Sequence, residues 1–272
     1  MQGARPIPRL AFGTGITPGE RMLPDEVAVA LTFNGTTQAV MMATPDHLAD
    51  FATGFALTEG LARPGEIDSL EVVETALGLD VQIWVTAKAE ARLKDRRRIM
   101  AGPMGCGLCG IETLEQALRG LPAVPHGNWR LTPAQVMAAV AALPLHQPLH
   151  DATRAVHCAG LWDGARMVLT REDVGRHNAL DKLAGAMVRG RMGDIAHPAT
   201  AAVVLTSRVS IDLVQKVAVL GVPAIIAVSS PSADAVALAD HLGITLIAQA
   251  RPDRFEAYTH TDRIQTESQH VG

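Results

Sequence analysis

The hydrophobic and polar positions are patterned most clearly in the last third of the chain. Three apolar, β-branched runs of strand type cover 201–206, 224–228 and 245–248. Two segments with helical spacing separate them, over 211–220 and 233–242, and a glycine follows each segment. Strands that alternate with helices at this spacing predict βαβ units and a parallel sheet. Ligands bind such sheets outside the carboxyl ends of the strands, so the polar residues there are candidates for a binding site.

The first part of the chain follows a different pattern. Two strands are predicted over 27–33 and 36–42, because Asn34-Gly35 between them is a strong hairpin signal. Thr44-Pro45 is typical of an N-cap followed by proline, which predicts a helix over 46–58. Two further strands are predicted, over 70–75 and 81–86. This part is therefore expected to be a small sheet with one helix.

These patterns predict three regions. Residues 1–24 are rich in glycine, proline and arginine and are expected to form a loose, flexible arm. Residues 25–99 are expected to form the small β-rich domain, and residues 100–272 the α/β domain.

The composition narrows the range of functions. The chain has 272 residues, 3% aromatic residues and a formal net charge of −4. We therefore expect no binding of nucleic acid and no attraction to an anionic membrane. No transmembrane segment and no secretory signal are predicted, since the longest nearly apolar stretch, 217–228, is too short to span a bilayer. Three cysteines are too few for a disulfide scaffold, so a cytoplasmic location is expected.

The pair Cys106 and Cys109, in the glycine-rich segment 102–110, is the strongest candidate for chemistry. If the helical pattern over 112–118 is a helix, Cys109 lies near its N-terminus, where the pKa of a thiol is lowered. A thiolate can take up a sulfane sulfur and hold it as a persulfide. The spacing alone leaves zinc binding, redox or sulfur chemistry and a purely structural role open. We expect no zinc, because the further ligand candidates weighed, His157 and Cys158, are adjacent on a predicted strand and point to opposite faces, and because the His-x-Glu of zinc deaminases is absent.

A second candidate is the segment 172–178, EDVGRHN, which precedes a helical pattern over 179–188. One interpretation is a capped helix start with solvated charges. The other is a polar site made by Asp173, Arg176 and His177, in which the histidine exchanges a proton near neutral pH.

The third candidate is the set of polar residues that follow the predicted parallel strands. Ser207 and Arg208 follow the first strand, and Ser229 and Ser230 follow the second. The segment 249–254 follows the third, and its two arginines have the planar donors that bind phosphate. A solvated exit loop is the alternative interpretation, since neither a Walker loop nor a GxGxxG motif is present.

Taken together, seven stretches of the chain resemble the formate dehydrogenase accessory sulfurtransferase family, the FdhD type. They are 23–27 (LPDEV), 40–45 (VMMATP), 54–60 (GFALTEG), 105–110 (GCGLCG), 172–182 (EDVGRHNALDK), 214–216 (VQK) and 258–260 (YTH). The string at 172–182 is far more specific than a bare CxxC pair.

The resemblance implies a sulfur carrier. Such proteins accept sulfur from a cysteine desulfurase as a persulfide. They pass it to the molybdenum or tungsten centre of a bis(molybdopterin guanine dinucleotide) cofactor for the catalytic subunit of formate dehydrogenase. The persulfide residue carries over to Cys106, with Cys109 as its partner. The cofactor-binding stretch carries over to Gln249, Ala250, Arg251, Pro252, Asp253 and Arg254. A chaperone that only binds the cofactor or the apo-dehydrogenase is the alternative function.

The resemblance also implies a fold and an assembly. The expected fold is a three-layer α/β/α domain of the cytidine-deaminase type, with the smaller N-terminal β-rich domain, and the expected assembly is a homodimer. Two places in the chain depart from the family pattern. Family members often have Thr-Gly-Gly-x-His where this chain has Thr153-Arg-Ala-Val-His157, so Arg154 and Ala155 stand in place of the two glycines. Asp253 stands where some members have glycine.

Overall fold

The computed structural model describes residues 3–100, 120–125, 127–190 and 197–265, with the side chains of 95–100 excepted. The strands are β1 (Ala4–Phe12), β2 (Ile16–Pro24), β3 (Val27–Phe33), β4 (Thr36–Ala43), β5 (Ile67–Thr75), β6 (Gly78–Val85), β7 (His157–Trp162), β8 (Met167–Asp173), β9 (Ala202–Leu205), β10 (Ala224–Ala227), β11 (Thr245–Arg251) and β12 (Arg254–Ala257). The α-helices are α1 (Leu48–Thr58), α2 (Ala87–Met100), α3 (Pro133–Ala142), α4 (Pro148–Thr153), α5 (Arg176–Arg189), α6 (Ile211–Leu220) and α7 (Ala233–His241).

A six-stranded mixed sheet dominates the second half of the chain, in the order β12-β11-β10-β9-β7-β8. Strands β9, β10 and β11 are parallel, as the alternation of strands and helices predicts. Val203 and Leu205 belong to a core cluster with residues of α5, α6 and α7. Val204 and Ile226 belong to another, with residues of α3. Both faces of the sheet are therefore covered by helices, and the fold is mixed α/β.

The helix boundaries follow local signals where those signals are strong. Helix α3 begins after Thr132, which forms a capping box with Gln135. Helix α6 covers the predicted residues and ends at Gly221, whose φ of 68° is the left-handed conformation that glycine adopts without strain. The predicted helix over 211–220, followed by glycine, is confirmed.

A four-stranded sheet, in the order β4-β3-β6-β5, forms the first part of the chain. The predicted turn is confirmed, since Asn34 and Gly35 both have positive φ, as a tight hairpin turn requires. One face of this sheet packs on α1, with Phe33, Phe51 and Ile83 fully buried between them.

Helices α1 and α5 pack closely against each other at two glycines, and this contact joins the two halves of the molecule. A Cβ built on Gly54 would lie 1.7 Å from the Asp181 backbone oxygen, and one built on Gly185 would lie 1.8 Å from that of Asp50. The two backbones therefore touch, and no larger residue fits at either position. Helix α1 belongs to the predicted 25–99 region and α5 to the 100–272 region, so the two regions pack closely.

Two predictions for the N-terminal part were wrong. Residues 4–24 form the antiparallel strands β1 and β2 rather than a loose arm. Helix α1 begins at Leu48 after His47, so Thr44 is not its N-cap. Thr44 is instead fully buried, and its N–H donates to a carboxylate oxygen of Asp173 at 3.1 Å. Thr44 therefore bonds to Asp173, a residue distant in sequence, instead of capping α1.

Candidate functional site

The loops that follow the three parallel strands meet at one edge of the six-stranded sheet. The N–H of Val209 donates to the Ser230 carbonyl at 3.2 Å, which joins the first loop to the second. The N–H of Gln249 donates to the Ser229 carbonyl at 3.3 Å, and its side-chain amide donates to the Ser230 hydroxyl. The predicted clustering of 207–208, 229–230 and 249–251 is therefore present in the structure.

Within the first loop, the two predicted residues differ in exposure. Ser207 is buried, and its hydroxyl donates to the Arg208 carbonyl at 3.1 Å. The side chain of Arg208 faces solvent. Only the arginine is therefore open to a ligand without rearrangement.

The segment 249–254 is a β-hairpin rather than an exit loop. Arg251 ends β11 and pairs in register with Arg254 at the start of β12. The Arg251 guanidinium donates to the carbonyls of Val228, at 2.6 Å, and Ala250, at 2.9 Å. Arg254 is exposed, and its partner is the equally exposed Asp253 at 3.4 Å. Arg254 is therefore the more available of the two arginines.

The other members of this segment differ in burial and backbone conformation. The side chain of Ala250 is fully buried in the core. Gln249 has a φ of 49°, a conformation that non-glycine residues rarely adopt. Pro252 and Asp253 form the exposed turn between the strands.

Asp173, predicted as part of a polar site, has a structural role. It is fully buried, and one carboxylate oxygen accepts hydrogen bonds from the Gly175 N–H at 2.7 Å and the Asn178 amide at 3.0 Å. The other oxygen accepts from the Thr44 N–H and lies 2.7 Å from the Lys182 ammonium. Because its carboxylate is fully used, Asp173 organises the start of α5 instead of facing a ligand.

Arg176 and His177 begin helix α5 and face the start of α6. The His177 Nε2 lies 3.5 Å from a carboxylate oxygen of Asp212, and His177 holds the pKa of that carboxyl below its ordinary value. Among the described residues, the Nε of Arg176 and the hydroxyl of Ser210 are buried without a hydrogen-bond partner. The starts of both helices thus bring donor groups and one carboxylate together.

His157 and Glu172 lie beside this group, at the same end of strands β7 and β8. His157 pairs in register with Asp173, and burial together with the charge of Arg176 lowers its pKa. Burial raises the pKa of Glu172, although its carboxylate accepts the N–H groups of Leu149 and His150 at 2.9 and 2.8 Å. A histidine with a lowered pKa and a carboxyl that is hydrogen-bonded to backbone N–H groups therefore border the site.

A second buried ion group was not predicted from the sequence. The ammonium of Lys216 on α6 lies 2.9 Å from Asp181 on α5 and 2.8 Å from Glu59 after α1. The side chains of Lys216 and Asp181 are 5% and 2% exposed. All three residues lie in stretches that carry the family resemblance, and this resemblance was the signal that could have pointed to them. In the structure these residues tie three helices together.

Arg154, where family members often have glycine, has a backbone conformation that costs free energy. Arg154 follows α4 with φ of 58° and ψ of 25°, the left-handed conformation. Glycine adopts this conformation freely, whereas other residues lose roughly 1–2 kcal/mol. The glycine that family members often have would therefore fit this backbone better.

Cys106 and Cys109 lie outside the described residues, and Cys158 is the one cysteine inside them. Cys158 lies on β7 and is 2% exposed. Burial, reinforced by the charge of Glu172, raises the pKa of its thiol strongly. A thiol of this kind is a poor nucleophile at neutral pH.

The comparison with protein families decides the identification. The FdhD/NarQ family model matches residues 24–265. The chain belongs to the FdhD/NarQ family. A relative from Agrobacterium fabrum, named sulfur carrier protein FdhD, is 48% identical over 96% of each chain. A relative of the same name from Brucella abortus is 46% identical over 92% of this chain and 93% of its own.

A solved structure agrees with this family membership. It is the crystal structure of a protein described as a formate dehydrogenase accessory protein from Desulfotalea psychrophila. It superposes with a TM-score of 0.75 and 26% identity, over 96% of this chain and 99% of its own. The FdhD/NarQ chain therefore shares its fold with that protein over nearly the whole length.

No helix among the described residues is long and apolar enough to cross a membrane. No group of three or more histidine, cysteine, aspartate or glutamate side chains in that part of the chain could hold a metal ion.

Proposed function

We propose that this protein carries sulfur for the maturation of formate dehydrogenase. It takes sulfur from a cysteine desulfurase as a persulfide on Cys106, with Cys109 as the partner thiol. It passes this sulfur to the molybdenum or tungsten centre of the bis(molybdopterin guanine dinucleotide) cofactor, which is its substrate. It does so in the cytoplasm, as a homodimer and without zinc. The observation that carries this proposal is the 48% identity, over nearly the full length of both chains, to a protein named sulfur carrier protein FdhD.

The state of Cys158 supports the assignment of the chemistry to the other two cysteines. A sulfur carrier needs an accessible thiolate, and Cys158 is buried with a raised pKa. The remaining thiols of the chain are Cys106 and Cys109.

Cys106→Ser is expected to abolish persulfide loading, because it removes the sulfur that forms the S–S bond. Intact-mass analysis after incubation with a cysteine desulfurase and cysteine measures the added sulfur. Cys158→Ala is the matched control and is expected to load normally. Elemental analysis of the same preparations is expected to find far less than one zinc per chain.

The same variant separates the sulfur carrier from the cofactor chaperone. Cells that carry Cys106→Ser are expected to contain inactive formate dehydrogenase. A fully active client in those cells would refute the carrier and favour a protein that only binds and delivers the cofactor.

We also propose that the cofactor binds at the carboxyl edge of the parallel strands. The guanine nucleotide ends carry diphosphates, and Arg208 and Arg254 are exposed there with planar donors. The helices on both faces of the sheet are compatible with a three-layer arrangement of the cytidine-deaminase type. Anchoring of the nucleotide end would leave the metal end to reach the cysteine segment, which makes transfer effectively intramolecular.

Arg254→Ala is expected to weaken the binding of GDP, a fragment of the cofactor, by on the order of 1–3 kcal/mol, the range for a hydrogen bond to a charged group. Titration calorimetry measures this difference. Arg166→Ala is the matched control, because Arg166 is equally exposed and pairs with a nearby aspartate, Asp163. Equal binding by all three proteins would remove Arg254 from the site. No binding by the wild type would refute the nucleotide anchor.

A further inference from the structure

A cleft of about 440 Å³ lies where the end of α5 meets α1 and the start of β5. The segment 62–65, which follows α1, forms a further side of it. This volume is within the range of about 300–1,000 Å³ that is usual for small-molecule sites. We call it the α1–α5 cleft.

The α1–α5 cleft is remote from the polar loops of the candidate site. Strand β8 runs parallel to β9, because both are antiparallel to β7. Helix α5 follows β8 and therefore starts at the edge of the sheet where the loops after β9, β10 and β11 meet. It is 14 residues long and ends roughly 20 Å away, at the opposite edge, where the cleft lies. A ligand in the cleft would therefore occupy a second, separate site.

The walls of the α1–α5 cleft are mainly apolar. Leu57 of α1, Ile67 and Leu70 of β5, and Val188 of α5 line it, and each of these side chains is half-buried. The hydroxyl of Thr53, which also lines the cleft, donates to a carbonyl of its own helix at 2.8 Å. Such walls suit the apolar or aromatic body of a small molecule.

Arg189, at the end of α5, brings a fixed guanidinium to the α1–α5 cleft. Its Nη1 donates to Asp50 at 2.7 Å, and within the described residues this is the only hydrogen bond of that guanidinium. Asp50 also accepts two hydrogen bonds from Arg171, at 2.9 and 2.7 Å, so the group of three keeps a net positive charge. Arg189 is 49% exposed. It is therefore held in place with donors left for a ligand.

Arg63 contributes a second guanidinium to the lining. It is exposed and forms no ion pair with any residue that the structure describes. Asp68, also exposed, is the one carboxylate among the described residues that line the cleft. Two guanidinium groups against one carboxylate leave the lining net positive, which favours an anionic ligand.

We propose that the α1–α5 cleft binds an organic anion that has an apolar or aromatic body and a carboxylate, sulfonate or phosphate group. The body lies against Leu57, Ile67 and Leu70. The anionic group meets Arg63 and Arg189, whose planar donors match its oxygens. Because the ligand contacts both α1 and α5, it strengthens the contact between the two halves of the molecule and stabilises the fold.

Titration with anilinonaphthalene sulfonate, an aromatic anion whose fluorescence increases on binding, tests this site. Arg63→Ala is expected to raise the Kd on the order of 10-fold, because a charge-assisted hydrogen bond is lost. Asp68→Asn is expected to lower the Kd roughly 2-fold, because it removes a like charge. Ala49→Leu places a larger side chain on the α1 wall and is expected to abolish most of the binding, since it fills part of the cleft.

Two controls separate the cleft from general adsorption. Arg166→Ala removes an exposed arginine outside the cleft and is expected to leave the Kd unchanged. The neutral analogue phenylnaphthylamine lacks the sulfonate, so its Kd is expected to be the same in the wild type and Arg63→Ala but raised in Ala49→Leu. Circular dichroism checks that each variant is folded.

No binding of the sulfonate by the wild type would overturn the proposal. Equal affinities in the wild type, Arg63→Ala and Asp68→Asn, normal binding by Ala49→Leu, or an equal loss in Arg166→Ala would overturn it as well. The inference goes beyond the proposed function, and the titration involves neither sulfur transfer nor GDP, so the two proposals fail separately.

Discussion

Gly54→Ala is expected to destabilise the protein by more than about 3 kcal/mol, the upper end of the usual cost of overpacking. The new methyl group would lie 1.7 Å from the backbone oxygen of Asp181. The obstacle is the backbone of α5 rather than the flexible end of a side chain, so only separation of the two helices relieves the clash. Gly185→Ala is expected to act in the same way, because its methyl group meets the backbone of Asp50. Thermal and denaturant unfolding followed by circular dichroism measure the loss.

Gly120→Ala is the control for this pair. A methyl group at Gly120 would meet nothing within 4 Å, and its stability is expected to change little. Wild-type stability in Gly54→Ala would contradict the close approach of α1 and α5. Loss in all three variants would point to a general sensitivity to glycine replacement.

The elements that could be predicted are those with a local signal. Strand β3, helix α6 and the capping box of α3 follow from hydrophobic period, turn residues and caps that lie within a few positions of each other. The hairpin β1–β2 does contain the alternating pattern of a strand. Its prolines and glycines favoured a loose arm instead, because proline cannot donate to a ladder.

The candidate site was only partly predictable, because some of its contacts join residues that are far apart in the sequence and leave no local signal. The clustering of polar loops at the ends of the parallel strands follows from topology and was confirmed. The role of Asp173 was not foreseen, because its partner Thr44 is 129 positions away. The Lys216 group likewise depends on Asp181, 35 positions away, and on the crossing of three helices. Asp173, predicted as part of a polar site, holds parts of the fold together instead, and the unpredicted Lys216 group does the same.

Lys216→Met is expected to destabilise the protein by about 3–5 kcal/mol, the cost of breaking a buried ion pair by removing one partner. The change removes the ammonium that pairs with Asp181, whose side chain is 2% exposed, and with Glu59. Lys94→Met is the control, because the ammonium of Lys94 pairs with Glu90 at the surface and is 57% exposed. A surface pair of this kind contributes about 0–1 kcal/mol. Denaturant unfolding of both variants at neutral pH measures the difference.

A double variant distinguishes the buried charge from the loss of packing. Asp181→Asn combined with Lys216→Met removes both the ammonium and the carboxylate that would be left buried. It is expected to be more stable than Lys216→Met alone, since an unpaired buried charge is the main cost. If the two substitutions simply add, the carboxylate is not responsible.

The pH dependence of Lys216→Met is the sharpest expectation. In the wild type, burial raises the pKa of Asp181, and the charge and hydrogen bonds of Lys216 oppose that rise. Removal of the ammonium raises the folded-state pKa further above the unfolded value of 3.8. Between these two pKa values the folded variant binds more protons than the unfolded chain, so its stability increases as the pH falls and decreases as the pH rises. The stability gap between variant and wild type should therefore narrow on acidification from neutral pH towards the unfolded pKa. A gap that stays constant or widens over that range would show that Asp181 is not the group left uncompensated.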